Sequence, residues 1–81
     1  MKNILIIDDN QSILDIISEK LKNCEEPINI KTAVNGKLAL EILHTSKIDL
    51  VVTDLDMPVM DGFELLSHMN KDFNDIPALV M

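Results

Sequence analysis

Short apolar runs alternate with segments of helical period along this 81-residue chain, and that alternation constrains the fold more than any other feature. Residues 4–7, and residues 48–53 apart from Asp49 and Thr53, are aliphatic runs of the kind found in strands buried on both faces of a parallel sheet. Residues 28–33 alternate apolar and polar side chains, which predicts a half-exposed edge strand. A fourth strand is predicted at residues 78–81.

The first of three predicted helices follows the first strand. Apolar residues recur at helical spacing from Ile13 to Leu21. Asn10 or Ser12 is expected to cap its N-terminus, because short polar side chains satisfy the free amides there.

Two further helices are predicted between the remaining strands. Asn35 and Gly36 predict a turn, which is followed by a helix at residues 37–45. Asp61 precedes an acidic residue by three positions, the spacing of a capping box, and this predicts a third helix at residues 62–70. We therefore interpret Asp61 as a helix cap and not as a metal ligand.

The order strand, helix, strand, helix, strand, helix, strand is typical of right-handed crossovers in an α/β fold, with a parallel sheet and helices on both faces. The length allows a single domain, which at this size buries about 60 to 70% of its unfolded surface. Hydrophobic residues make up 47% of the sequence, but only Phe63 and Phe73 are aromatic. The core is therefore expected to be aliphatic.

The chain is acidic, with fourteen Asp and Glu residues, seven Lys residues and a net charge of −7. This balance argues against nucleic acid or a membrane surface as a partner. Cys24 is the only cysteine, so no intramolecular disulfide can form, and the apolar run before Asp8 is too short for a signal peptide. These features predict a cytoplasmic protein.

Acidic residues follow two of the predicted strands. Asp8 and Asp9 come directly after the first strand, and Asp54 and Asp56 come after the third. The carboxyl ends of parallel strands open onto one crevice, so we expect these carboxylates to form one anionic pocket. Carboxylates this close repel one another unless a hard cation joins them.

Three motifs resemble the receiver domain of two-component response regulators. They are the Asp8-Asp9 pair, the Asp54-Leu55-Asp56-Met57-Pro58 turn and the Met60-Asp61-Gly62 segment. The resemblance implies a flavodoxin-like open parallel sheet with strand order 2-1-3-4. It also implies a phosphoacceptor signalling domain and not an enzyme that turns over a free substrate.

The resemblance also assigns roles to the acidic residues. Asp54 would accept a phosphoryl group from a histidine kinase or a phosphotransfer protein. Asp9 would ligate Mg²⁺ directly and Asp8 through water, while Asp54 and the backbone carbonyl of Asp56 would complete the protein ligands. The cation is needed because a carboxylate is a poor nucleophile towards an anionic phosphoryl group.

Receiver domains continue beyond the segment that this sequence matches. The resemblance implies that residues 1–81 form an incomplete domain, without the fourth helix, the fifth strand, the fifth helix, and the Ser or Thr and Lys that contact the phosphoryl group. We therefore expect a truncated receiver or a pseudo-receiver. The strand at residues 78–81 would then be an exposed edge, which predicts a homodimer by edge pairing or segment exchange.

Two other functions fit parts of the sequence. A non-phosphorylated interaction or assembly module would keep the acidic pocket without the switch. A haloacid-dehalogenase-type phosphatase also uses an Asp-x-Asp nucleophile motif after a strand, but Met57 and Pro58 depart from that family's pattern. His44 and His68 have no second His or Cys at ligand spacing, so structural roles are expected for both.

Overall fold

The structure, a computed structural model, describes residues 2–23, 27–54 and 62–80, and for residues 62 and 63 the backbone alone. The described strands are β1 (Lys2–Ile7), β2 (Ile28–Ala33), β3 (Leu50–Thr53) and β4 (Ala78–Val80). The described helices are α1 (Gln11–Lys22), α2 (Gly36–Thr45) and α3 (Gly62–Asp72). Strands and helices alternate along the chain as predicted.

The four described strands form one parallel sheet in the order β2-β1-β3-β4. β1 pairs with β2 on one side and with β3 on the other, where Ile7 lies opposite Thr53. The predicted flavodoxin-like α/β fold and its strand order 2-1-3-4 are confirmed. β2 lies at one end of the sheet, as its half-polar pattern predicts.

Two hydrophobic clusters cover the two faces of the sheet. Successive β1 residues point to opposite faces, so Leu5 packs with α2 and α3 while Ile6 packs with α1. Both side chains are fully buried. Truncating either to Ala would cost about 2 to 5 kcal/mol of stability.

α1 begins as the cap preference predicts, but its apolar residues are not all buried. Asn10 is the N-cap, and its side-chain oxygen accepts the Ser12 amide at 3.0 Å. Leu14 is fully buried against the sheet, whereas Ile13 and Ile16 are 39% and 54% exposed. The face of α1 that packs against the sheet is therefore narrower than the spread of apolar residues around the helix.

The predicted turn at Asn35 and Gly36 is wrong for Gly36, which is the first residue of α2. Asn35 has an extended backbone, and its side-chain oxygen accepts the Leu38 amide at 2.8 Å. Because this bond satisfies a free amide of the first turn, Asn35 acts as a helix cap and the helix starts one residue early.

Three other boundaries differ from the prediction, and the first is β1, which begins at Lys2 and not at residue 4. β3 begins at Leu50 and not at residue 48, because Asp49 bridges to β1: its carboxylate accepts the Asn3 amide at 2.8 Å, and its own amide donates to the Asn3 carbonyl at 2.7 Å. α3 extends to Asp72, two residues further than predicted. The predictions for Cys24 and Asp61 lie outside the described residues.

None of the helices described is long and apolar enough to cross a membrane.

Candidate metal centre

The ends of β1 and β3 bring two acidic segments to the same edge of the sheet. The Asp54 amide donates to the Ile7 carbonyl at 3.0 Å, so Asp54 extends the β1–β3 pairing by one residue. On the other side of β1, the Asp8 amide donates to the Ala33 carbonyl at 3.1 Å. The backbone of both acids is thereby held in line with the sheet.

The three carboxylates form a compact cluster. One oxygen each from Asp8, Asp9 and Asp54 lies within 4.8 Å of the other two. Asp8 is buried, Asp54 is half-buried and Asp9 is exposed, so the cluster opens to solvent at one side. Asp56, the fourth residue of the predicted site, lies outside the described residues.

Asp8 is oriented by the turn that leads into α1. Its Oδ1 accepts the Asn10 amide at 2.9 Å, while the Asn10 side chain caps the helix. Asn10 thus contacts Asp8 through its backbone amide and caps α1 through its side chain. The sequence indicated Asn10 as a cap, but it gave no sign of the bond from its amide to Asp8.

The cluster is electrostatically unfavourable without a cation. The pKa of Asp9 is raised above its ordinary value of 3.8, chiefly by partial desolvation of its carboxyl. A hydrogen bond with Asp8 and repulsion from Asp8 and Asp54 raise it further. A divalent cation would relieve that repulsion, and oxygen ligands of this type suit Mg²⁺.

Thr53 contributes a polar group that the sequence reasoning did not predict. Its side chain is fully buried, and its hydroxyl donates to the Asp54 carbonyl at 2.9 Å. The only sequence signal is a hydroxyl residue at the end of an aliphatic run.

The two histidines lie apart from this cluster. The His44 ring meets the Phe73 ring edge to face, with centroids 5.0 Å apart, at the ends of α2 and α3. His68 is exposed on α3. Across the described ranges, only the group of Asp8, Asp9 and Asp54 has the spacing of a metal site.

The family comparison identifies this architecture. The family model described as response regulator receiver domain matches residues 4–81. A protein-glutamate methylesterase/protein-glutamine glutaminase from Desulfotalea psychrophila is 43% identical over 83 residues, which cover all of this chain and 22% of that protein. The heme response regulator HssR of Staphylococcus aureus is 35% identical over 81 residues, or 35% of its length. The chain thus spans a minor part of these relatives.

Two solved structures are similar to this chain in both fold and sequence. The response regulator TrrA from Thermotoga maritima, in complex with Mg(2+)-BeF, has a TM-score of 0.85 and 36% identity over 99% of this chain and 66% of its own. The N-terminal domain of a receiver protein from Methanoculleus marisnigri has a TM-score of 0.91 and 34% identity over 99% of this chain and 65% of its own. The match supports a signalling domain over a haloacid-dehalogenase-type phosphatase. This chain belongs to the receiver domain family of two-component response regulators.

Proposed function

We propose that Asp54 accepts a phosphoryl group from the phosphohistidine of a histidine kinase or phosphotransfer protein, in a reaction that depends on Mg²⁺. The observation that carries this proposal is the cluster of three carboxylates within 4.8 Å at the ends of β1 and β3. Membership of the receiver family supports it further.

The surroundings of each acid support its role as a ligand. Asp9 is exposed, and its pKa is raised first by desolvation and then by Asp8 and Asp54, which suits direct contact with a cation. Asp8 is buried and already accepts the Asn10 amide, which suits a contact through water. Asp54 and the Asp56 carbonyl complete the proposed protein ligands. The similar TrrA structure, a complex with Mg(2+)-BeF, supports Mg²⁺ as the cation.

The proposed step is an in-line displacement at phosphorus. An Asp54 carboxylate oxygen attacks the phosphorus, and the P–N bond to the histidine breaks as the new O–P bond forms. The nitrogen leaves with the electron pair of that bond and is protonated by solvent. Bound Mg²⁺ would neutralise charge on the phosphoryl oxygens. The product is an acyl phosphate on Asp54, whose new negative charge biases the surface of the domain.

This role is regulatory, since one phosphoryl group is gained and lost on the chain itself. We also propose a cytoplasmic location. Cys24 is the only cysteine, and a free thiol suits the reducing environment of the cytoplasm.

The test is labelling by a small phosphodonor, acetyl phosphate, in the presence of Mg²⁺. Intact mass and peptide mapping should find one phosphoryl group on wild type, at Asp54, and none on Asp54→Ala. Asp15→Ala is the matched control, because Asp15 is an exposed acid of α1 outside the cluster, and it should label like wild type. An unlabelled wild-type chain would overturn phosphotransfer and favour the non-phosphorylated interaction module.

We further propose that the chain forms a homodimer through β4, by edge pairing or by exchange of that segment. Among the described strands β4 lies at the end of the sheet opposite β2, and Leu79 and Val80 are 58% and 49% exposed. An exposed apolar edge strand favours pairing with another chain.

A further inference from the structure

Thr53 is a polar residue at a position where the surrounding structure favours an apolar one. It ends β3, two residues after Val51, and both side chains point to the core between the sheet and helices α2 and α3. A valine would satisfy strand propensity and burial equally well. The hydroxyl therefore needs a separate explanation.

The hydroxyl fixes the peptide that follows Asp54. The Asp54 amide donates to Ile7 at 3.0 Å, and the Asp54 carbonyl accepts the Thr53 hydroxyl at 2.9 Å. The Cα of Asp54 lies between these two peptide groups. Holding both of them limits φ and ψ at Asp54, and so limits the direction of its carboxylate.

The same bond lies at the end of β3. The last described β3–β4 pair is Thr53 with Val80, and the bond from the Asp54 amide to Ile7 is the last described bond from this segment to β1. A side-chain bond at this position continues the restraint of the backbone one peptide beyond the strand.

We propose that Thr53 is a positioning residue, whose buried hydroxyl directs the Asp54 carboxylate towards Asp8 and Asp9. This inference rests on the proposed function of Asp54 and extends it to a residue that touches neither metal nor phosphoryl group. Its effect is preorganisation: a carboxylate that already points into the cluster loses less freedom when a cation binds.

The test compares Thr53→Val with Thr53→Ser. Thr53→Val keeps the shape and strand propensity but removes the donor, so Mg²⁺ affinity and the rate of labelling by acetyl phosphate should each fall about two- to tenfold, the equivalent of one neutral hydrogen bond. Thr53→Ser keeps the hydroxyl and should remain close to wild type in both. Titration calorimetry and intact mass measure the two quantities.

Two further measurements separate positioning from stability. Val51→Ala opens a cavity in the same strand and should lower the urea midpoint, yet the folded protein should keep wild-type Mg²⁺ affinity. In metal-free protein, the carbonyl ¹³C shift of Asp54 should move in Thr53→Val and not in Thr53→Ser, because only the former removes the donor.

The outcomes distinguish this inference from the function on which it rests. Wild-type affinity, labelling rate and Asp54 carbonyl shift in Thr53→Val would overturn the role of Thr53 and leave phosphotransfer intact. Equal losses in Thr53→Val and Thr53→Ser would also overturn it, because the hydroxyl would then be irrelevant. A wild-type chain that neither binds Mg²⁺ nor takes up a phosphoryl group would overturn the proposed function itself.

Discussion

At the scale of single residues, ionised Asp9 in the acidic cluster lowers the stability of the metal-free protein. Asp9 is exposed, yet its pKa is raised because folding partly desolvates it and brings it beside Asp8 and Asp54. A carboxyl whose pKa rises on folding binds protons more tightly in the folded state. Ionised Asp9 therefore opposes folding whenever no cation is bound.

The raised pKa of Asp9 fixes the direction in which the stability of the metal-free protein changes with pH. The stability that Asp9 contributes is fully present below its unfolded pKa, near 3.8, and is lost as the pH rises through the higher folded value. Metal-free Asp9→Asn should therefore unfold at higher urea than wild type at pH 7. Urea unfolding across the pH range should show this advantage shrinking as the pH falls through that window.

Asp15→Asn is the matched control, since Asp15 is exposed on α1 outside the cluster. An advantage for Asp9→Asn that is equal at all pH values, or is shared by Asp15→Asn, would contradict the repulsion argument.

The same residue should dominate the affinity for Mg²⁺. Asp9→Ala removes the acid proposed to ligate Mg²⁺ directly. Substitution of a residue that only supports a metal ligand typically lowers metal affinity about 10- to 100-fold, so Asp9→Ala should lower Mg²⁺ affinity by at least that much. Calorimetric titration measures it. Asp61→Ala, at the residue interpreted as a helix cap, should lose far less, and similar losses in both variants would contradict the assigned roles.

At the scale of elements, the sequence predicted what depends on pattern and missed what depends on backbone geometry. The strands and the meeting of Asp8 with Asp54 follow from alternation and from the rule that parallel strands end at one edge. The exposure of Ile16 was not predictable in this way, because periodicity does not give the width of the packing face. The Thr53 and Asn10 bonds depend on local torsion angles, which a sequence pattern does not report.

The start of α2 shows how one such bond sets an element boundary. Asn35→Ala removes the acceptor of the Leu38 amide and should cost about 0.5 to 2 kcal/mol of stability, while Asn35→Asp keeps a capping oxygen and should cost much less. Urea unfolding measures both losses, with one m-value used for the two variants. Equal losses in the two variants would show that the cap is not the cause.

At the scale of the whole molecule, the described residues cover the two faces of the sheet unequally. Helices α2 and α3 pack on one face, and α1 packs on the other against β1 and its neighbours. On the α1 face, Val52 is half-buried and its β4 partner Leu79 is 58% exposed. An apolar strip thus runs from the centre of the sheet to the β4 edge, next to the backbone groups that would pair in the proposed dimer.

Leu79→Lys tests that dimer, because a charge on the strip opposes close approach of a second copy. Light scattering and sedimentation should find wild type as a dimer at micromolar concentration and Leu79→Lys shifted to monomer. Ile16→Lys is the matched control: Ile16 is similarly exposed, at 54%, but lies on α1, so this variant should still dimerise. A compact wild-type monomer that unfolds cooperatively would contradict the proposal, as would an equal shift in both variants.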